Sequence, residues 1–137
     1  MNKWVLSGED SNVGLRVHDE CPTFAELEVV VPRALAVAAA SGSILDLESP
    51  SGKILSFAIA GDNGCANFVE DIDAGPYLTA LGDRTRSRTD GVVAFRYGGD
   101  ESEIPLRNCI RPEQVLALVR EFFESDACPS SIEWEEV

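Results

Sequence analysis

The feature that most constrains the fold is a series of short apolar runs in residues 43–105, each separated from the next by a few turn-forming residues. Connections such as Pro50–Lys53 and Gly61–Gly64 are far shorter than the crossover of about a dozen residues that joins parallel strands. The series therefore predicts an antiparallel meander. Its strands are expected at Ile44–Glu48, Ile54–Ala60, Cys65–Glu70 and Tyr77–Leu81. Another strand is expected at Val92–Tyr97, followed by a loop at Gly98–Glu101.

The clearest helix begins at Pro112, because proline suits the first helical position and the following Glu113 favours the positive end of the helix dipole. Apolar residues recur along one side of this segment at helical spacing, with polar residues largely opposite. The apolar stripe consists of Val115, Leu118, Val119, Phe122 and Phe123. The pattern stops near residues 125–129, and Ile132–Glu135 suits a short final strand.

A second helical pattern starts with the capping-box sequence Thr23-x-x-Glu26. Pro32 lies inside this pattern and is expected to kink or split the element, because proline lacks an N–H and clashes with the preceding turn. The run Val29–Val31 also suits a strand. Arg33–Ala40 is therefore the firmer part of the predicted helix.

Together these elements predict a single α+β domain over residues 1–137, in which an antiparallel sheet of about five to seven strands packs against one or two helices. The length of 137 residues suits one domain, and a hydrophobic content of 45% is enough for a core. Residues 4–17 are interpreted as an opening strand pair. Residues 1–42 are less defined by pattern than residues 43–137.

The charge of the chain restricts its partners. It contains 24 Asp and Glu against 11 Lys and Arg, which gives a formal net charge of -13 at pH 7. A surface this negative repels nucleic-acid phosphates and anionic membranes and attracts basic surfaces. No run approaches the ~20 apolar residues that cross a bilayer, and Met1–Asp10 contains no apolar signal-peptide region. We expect a cytoplasmic protein that binds neither nucleic acid nor membranes.

The sequence contains no recognisable pattern of catalytic or metal-binding residues. Its cysteines lie far apart without a C-x-x-C pair and are expected as free thiols, some of them buried. They are Cys21, Cys65, Cys109 and Cys128. The single histidine, His18, supplies too few ligands for structural zinc, and Glu70–Asp73 lacks the ligand spacing of a calcium loop. We expect neither enzymatic activity nor a cofactor.

Two further features have both a structural and a functional interpretation. Arg84, Arg86 and Arg88 form a basic cluster, but in so negative a chain they are expected to pair with nearby carboxylates and not to bind phosphate. Trp134 has the character of an interface anchor. We favour core packing of Trp134 against the predicted C-terminal helix, because an edge strand rich in Glu turns its one aromatic residue inward more easily.

The C-terminal third has a distinctive order of segments: GGDESEIP from residue 98, a Pro112 helix ending in VREFF, then Cys128-Pro129 and a final IEWEEV. With Tyr77-x-x-x-Leu81-Gly82-Asp83 upstream, this order resembles the Imm1 family of immunity proteins from bacterial polymorphic toxin systems, over most of residues 43–137. The resemblance implies an α+β fold and a binding role toward a toxin, often one with a nucleic-acid deaminase domain. Fold-shaping positions of the family pattern match Pro105, Phe122 and Trp134.

The resemblance and the charge together predict an immunity protein that covers the basic substrate groove of a cognate toxin by steric and electrostatic occlusion. Carboxylates on loops and strand ends are the candidate toxin-binding residues: Asp62, Glu70, Asp71, Asp73, Asp100, Glu101 and Glu103. Within the immunity interpretation, binding to the toxin away from its active site is an open alternative. Two alternatives from other classes also stay open. One is an acidic regulatory or scaffold domain without a toxin partner, and the other is a small enzyme that depends on His18 or a cysteine.

Overall fold

The computed structural model describes residues 3–82 and 91–137, which contain nine strands and two α-helices. The strands are β1 Trp4–Asp10, β2 Leu15–Cys21, β3 Leu45–Glu48, β4 Ile54–Ala60, β5 Asn63–Val69, β6 Tyr77–Leu81, β7 Val92–Tyr97, β8 Asp100–Pro105 and β9 Glu133–Glu136. The helices are α1 Phe24–Ala39 and α2 Pro112–Ser125, with a 3-10 turn at Leu106–Asn108. The predicted α+β class is confirmed.

Seven of these strands form one antiparallel sheet in the order β2-β1-β3-β4-β5-β6-β9, and β7 pairs with β8 in a separate hairpin. Strands β3 to β6 are the predicted meander. The opening strand pair is also present, and β1 lies beside β3, with Leu6 opposite Leu47. The hairpin does not extend the meander, because it packs over one face of the sheet.

Both helices pack on the other face of the sheet and form the larger core with it. Alternation along β3 and β4 directs Leu47 and Leu55 into this core, where both are fully buried. Phe122 of α2 lies at its centre, with its ring 4.9 Å from that of Trp4 and 5.5 Å from that of Phe68. Each large apolar side chain buried in this way contributes about 1.5–3 kcal/mol.

Helix α1 is continuous through Pro32, so the expectation that proline splits it was wrong, as was the strand alternative at Val29–Val31. The predicted cap is present, since the Thr23 hydroxyl accepts a hydrogen bond from the Glu26 N–H at 3.2 Å. Pro32 is exposed, and so is Glu28 one turn earlier. The carbonyl of Glu28, which loses its N–H partner, therefore lies on the exposed side of the helix.

The hairpin encloses a second, smaller core against the sheet face that the helices leave free. Phe95 of β7 is fully buried there and packs with Ile44, Ala58 and Cys65 of the main sheet. Backbone hydrogen bonds between Gly42–Ile44 and Arg96 fix the position of β7. The hairpin thereby covers one part of this face and leaves the rest open.

The turn of the hairpin is tighter than the predicted loop Gly98–Glu101, because β8 already begins at Asp100. Gly98 and Gly99 alone connect the strands, and both have positive φ, 59° and 96°. Two-residue hairpin turns that match the strand twist require this left-handed backbone, which glycine adopts without a steric cost. The turn lies where the sequence predicts it, but it is two residues shorter than the predicted loop.

Candidate functional site

A row of polar side chains crosses the whole seven-stranded sheet on the face that carries the hairpin. Residues directly opposite each other in antiparallel strands share a face. The register aligns, from β2 to β9, His18, Ser7, Asp46, Ser56, Asn67, Thr79 and Glu135. None of these residues is buried. The centre of this face is therefore polar and accessible.

Beside the hairpin this row forms the floor of a groove of about 560 Å³. The hairpin is one wall, and the ends of β4, β5 and β6 with the β5–β6 loop are the other. Its lining includes Asp46, Ser56, Asn67, Ile54, Val69, Ile72, Tyr77, Tyr97 and Ile104. A smaller hollow of about 290 Å³ shares Asn67 and Ile104 with it and reaches Glu135 on β9.

Large apolar and aromatic side chains are exposed along the groove walls. Tyr77 and Tyr97 are each 49% exposed, and Ile72 is 59% exposed. Tyrosine combines a large apolar ring with a polar end and is enriched where proteins bind other proteins. The groove thus has the composition of a protein-binding surface, with a polar floor and apolar walls.

Asp46 is the carboxylate of the larger groove, and neutral donors hold it in place. The Ser56 hydroxyl donates to its Oδ1 at 2.5 Å, and the Tyr97 hydroxyl donates to its Oδ2 at 2.7 Å. Burial and the hydrogen bond to Asp46 raise the pKa of Tyr97 to about 12, so Tyr97 remains a donor at neutral pH. Among the described residues that line this groove there is no Lys or Arg. The described residues thus hold the Asp46 carboxylate in place without a cationic partner.

Glu135, in the smaller hollow, has a different environment. Its carboxylate forms an ion pair with Arg107 and accepts a hydrogen bond from Asn108 Nδ2 at 2.8 Å. The contact with Asn108, followed by that with Arg107, lowers the pKa of Glu135. Asn108 also donates to the carbonyl of Ala80 at 3.0 Å, so this carboxylate helps to hold β9 against its neighbours. Its charge is largely compensated, whereas no Lys or Arg in the described part of the chain forms an ion pair with Asp46.

Arg96 ties the hairpin wall to the main sheet. Its Nε donates to Oδ2 of Asp10 at 2.7 Å, and its Nη2 donates to the carbonyl of Gly99 at 3.2 Å. Asp10 is only 3% exposed, and the hydrogen bond from Arg96 holds the pKa of this carboxyl below its ordinary value of 3.8. The wall that carries Tyr97 is therefore positioned before any partner binds.

The predicted acidic residues of the β5–β6 loop lie at the edge of the groove. Glu70, Asp71 and Asp73 are exposed and flank Ile72, whose side chain lines the groove. The loop is ordered locally by the Asp71 carboxylate, which accepts a hydrogen bond from the Asp73 N–H at 2.9 Å. The Tyr77 hydroxyl donates to the carbonyl of Ile72. The structure thus brings these acids together with the exposed aromatic wall.

The acidic residues of β8 divide between two sides of the hairpin. Ser102 and Ile104 line the groove, so Glu101 and Glu103, which alternate with them, point away from it. Asp100 lies opposite Tyr97, next to the hairpin turn. Glu101 and Glu103 are thus within a strand and face outward, and they do not join the groove.

Asp62 lies apart from the other predicted acidic residues. It is exposed in the β4–β5 turn, at the opposite end of β5 from Glu70. At about 3.3 Å per residue, the strand separates the two by about 25 Å. A single compact patch therefore does not contain both.

The fold-shaping positions have clear places in the structure. Phe122 is fully buried in the larger core. Trp134 is half-buried against that core, with its ring 6.3 Å from that of Phe68 and its Nε1 donating to the Pro129 carbonyl at 2.7 Å. Pro105 ends β8 and lines the smaller hollow. All three contribute to packing or to chain direction.

Other sequence predictions concern reactive and charged groups. The cysteines are free thiols, and Cys65 is buried, which raises its pKa to about 12. Within residues 3–82 and 91–137, no group of three or more His, Cys, Asp or Glu is arranged to hold a metal ion.

No helix of that part of the chain has the length and apolar character needed to cross a membrane. The predicted pairing of Arg84, Arg86 and Arg88 lies outside the described residues.

Sequence reasoning missed the residues that form the groove. Alternation in β3 directs Asp46 away from the helices, but it does not reveal that Ser56 and Asn67 stand beside it. Tyr77 and Tyr97 belong to strands far apart in the chain. Only the register between strands and the position of the hairpin bring these residues to one place.

A comparison with protein families identifies a match that covers most of the chain. The model of the family described as Immunity protein Imm1 matches residues 18–136. The matched region begins in β2 and includes both helices, so it extends further toward the N-terminus than the resemblance seen in residues 43–137. No curated protein sequence matches the chain.

Proposed function

The chain belongs to the Imm1 family of immunity proteins, and we propose that it binds a cognate bacterial toxin and blocks access to the toxin's substrate groove. The family supports a toxin-neutralising and non-enzymatic role. Our proposal adds that the toxin acts on nucleic acid, as deaminase-type toxins do, and that neutralisation takes place in the cytoplasm by steric and electrostatic occlusion, without a cofactor.

The observation that carries this proposal is the groove beside the hairpin, where exposed tyrosines, a fixed carboxylate and an acidic loop lie together. A protein that acts on nucleic acid presents a basic surface, because its substrate is a polyanion. A partner with a formal net charge of -13 is complementary to such a surface. Long-range attraction of this kind raises association rates by ~10 to 10³-fold at low salt.

The acidic residues contribute differently within this proposal. Glu70, Asp71 and Asp73 border the groove and are proposed to contact the basic rim of the toxin directly. Asp100 lies at the hairpin turn, and Glu101 and Glu103 face outward from the hairpin. These three residues and the distant Asp62 are proposed to act mainly through the long-range electrostatic field of the whole chain.

Occlusion also needs contact area. A stable interface buries about 800 Å² on each partner. The groove and the β5–β6 loop supply a concave centre and an acidic rim, and the groove-facing side of the hairpin, with Tyr97 exposed, continues this surface. A toxin seated on the groove therefore also covers the loop and the groove-facing side of the hairpin.

The test begins with rescue of growth. Reading frames beside the gene are expressed one at a time in a bacterial host, with and without this chain. We expect one of them to be toxic, to be neutralised by co-expression and to lose activity on nucleic acid in the purified complex. A toxin that is not nucleic-acid-acting would overturn that part of the proposal. Failure to rescue growth from every co-encoded toxin would overturn all of it and favour the acidic scaffold.

Charge reversal distinguishes direct contacts of the acidic loop with the toxin from the effect of the net charge of the whole chain. Replacing Glu70, Asp71 and Asp73 together by Lys is expected to weaken toxin binding and to flatten its dependence on salt. The control is a variant with Asp62→Lys, Glu101→Lys and Glu103→Lys, which has the same net charge but leaves the groove edge intact. Equal effects of the two variants would remove the β5–β6 loop from the proposed interface.

A further inference from the structure

The hydrogen bonds of Asp46 leave it able to accept two further donors. Among the described residues, one donor contacts each of its oxygens, Ser56 at Oδ1 and Tyr97 at Oδ2. A carboxylate has about four lone-pair sites, so one site remains on each oxygen. Two adjacent acceptors match the parallel N–H groups of a guanidinium, whereas an ammonium group is a single point donor.

The surroundings of Asp46 favour a long cationic side chain. Tyr97 and Ile104 of the hairpin stand on one side of the groove, and Ile54 and Tyr77 stand on the other. Apolar walls of this kind cover the methylene stem of an arginine and shield its ion pair from water. No described Lys or Arg lines this groove, and the Arg107 side chain is paired with Glu135.

The dimensions of the groove indicate an extended occupant. From Asp46 on β3 to Glu135 on β9 there are four inter-strand spacings of about 4.8 Å, or about 19 Å in total. Along β4 the groove is lined by Ser56 and Ile54, whose Cα atoms are about 7 Å apart. A helix with its side chains is about 10–12 Å across. An extended segment of about six residues fits the length at about 3.3 Å per residue.

We infer that the groove binds an extended segment of the toxin, about six residues long, whose arginine forms a bidentate ion pair with Asp46. The inference rests on the proposed function and deepens it by naming the element of the partner that is recognised. The fixed carboxylate needs no rearrangement on binding, so little side-chain entropy is lost when the pair forms. Asp46 is the energetic centre of the interface, and the acidic loop is its rim.

The first test compares two matched substitutions in this chain. Binding of a catalytically inactive form of the co-encoded toxin is measured by isothermal titration calorimetry. Asp46→Asn removes the charge and is expected to raise Kd about 30-fold or more, as a central interface residue does. Asp62→Asn removes an exposed charge about 25 Å away from the β5–β6 loop and is expected to change Kd less than about threefold.

A second, milder variant tests the same contact in case Asp46→Asn does not fold. Tyr97→Phe keeps the ring on the groove wall and removes only the hydroxyl that positions Asp46. It is expected to raise Kd about 3- to 10-fold, in line with one charge-assisted hydrogen bond. Thermal unfolding curves show whether each variant is folded before its Kd is compared. A folded Asp46→Asn variant with unchanged Kd overturns the inference.

The arginine itself is identified from the side of the toxin. Each Arg and Lys of the toxin is exchanged for the other, and each variant is measured against the wild-type chain and against Asp46→Asn. We expect one Arg→Lys change to weaken the wild-type complex about tenfold and to leave the Asp46→Asn complex unchanged, which is the signature of direct coupling. If the effect of no toxin substitution depends on Asp46, or if only that of a lysine does, the inference about the arginine fails. The proposal that the chain neutralises a toxin by binding it then still stands. If the wild-type chain binds no co-encoded toxin, the proposed function fails as well.

Discussion

The two faces of the seven-stranded sheet are built from alternate residues of the same strands, yet they differ in how completely they are covered. On one face, Leu47 and Leu55 are fully buried beneath two helices. On the other, the neighbouring Asp46 and Ser56 are only partly buried, because the hairpin covers a single row of residues beside them. One face thus supplies most of the burial that stabilises the fold. The other keeps side chains available for a partner.

The same difference appears in the aromatic residues. Trp4, Phe68 and Phe122 pack ring against ring under the helices. Tyr77 and Tyr97 stand at the edge of the groove, half in solvent. Phenylalanine and tyrosine bury similar areas, but the hydroxyl lets tyrosine remain at a wet surface until a partner covers it. Stability and recognition are therefore assigned to opposite faces of one sheet.

The largest effect is expected from opening the helix-covered core. Phe122→Ala removes a fully buried ring that contacts Trp4 and Phe68. It is expected to lower the free energy of unfolding by about 3–5 kcal/mol, because a cavity remains where the ring was. Urea denaturation followed by circular dichroism measures the loss. Tyr77→Ala, an exposed aromatic on the other face, is the control and is expected to change stability far less. A loss below about 1 kcal/mol for Phe122→Ala would contradict the assignment of the main core.

A cavity on the hairpin-covered face is expected to lower the free energy of unfolding by a smaller amount, and its effect is expected to be confined to the hairpin. Phe95→Ala empties the centre of the smaller core, where the hairpin is free to settle toward the sheet. We expect the free energy of unfolding to fall by about 3 kcal/mol, which is the lower end of the range for replacing a buried phenylalanine by alanine. Hydrogen exchange should show faster exchange in β7 and β8 and little change in β4. Uniformly faster exchange throughout the sheet would show that the two cores unfold as one unit.

Pro32 offers a test on the outer side of the helix-covered face. Pro32→Ala restores an N–H that can donate to the carbonyl of Glu28 within α1. It is expected to raise the free energy of unfolding by about 1–2 kcal/mol, less than the ~3 kcal/mol by which proline and alanine differ in a helix interior, because that carbonyl lies on the exposed side of α1. Val37→Ala, at another exposed position of α1, is the control. A fall in the melting temperature of Pro32→Ala would mean that the proline ring itself packs favourably.

Local patterns predicted the local structure well. The turn residues between runs indicate the meander, and the Thr23 cap and the Pro112 start mark the beginnings of both helices. The alternation of Asp46 with its leucine neighbours indicates which side of β3 is polar. These signals depend on residues a few positions apart, so they can be read without knowledge of the rest of the chain.

The groove depends on distances that the sequence does not encode locally. Alternation shows that Phe95 faces inward, but not that its hairpin leaves the sheet order and covers one face. Asp62 and Glu70 have similar local settings, yet β5 places them at opposite ends of the sheet. The continuity of α1 through Pro32 likewise depends on which side of the helix meets solvent. Register and exposure, and not residue type, determine these outcomes.

The smallest effect is expected from the ion pair that joins the hairpin to the main sheet, and it should depend on pH. Asp10→Asn keeps an acceptor for Arg96 but removes the charge of the ion pair. Because Arg96 holds the pKa of Asp10 below 3.8, the unfolded chain takes up this proton before the native one does. The stabilisation by the pair is therefore complete above pH ~3.8 and is lost as the pH falls through the lowered pKa of the native state.

The melting temperature of Asp10→Asn is accordingly expected to lie below that of the wild type at pH 7, and the gap is expected to narrow toward pH 3. Differential scanning calorimetry at both pH values measures it. Glu20→Gln, which breaks the exposed pair with Lys3, is the control and is expected to show a smaller gap at pH 7. A gap for Asp10→Asn that is the same at both pH values would mean that the charge of Asp10 does not contribute to stability. If there is no gap at either pH, the packing of Phe95 holds the hairpin in position without the ion pair.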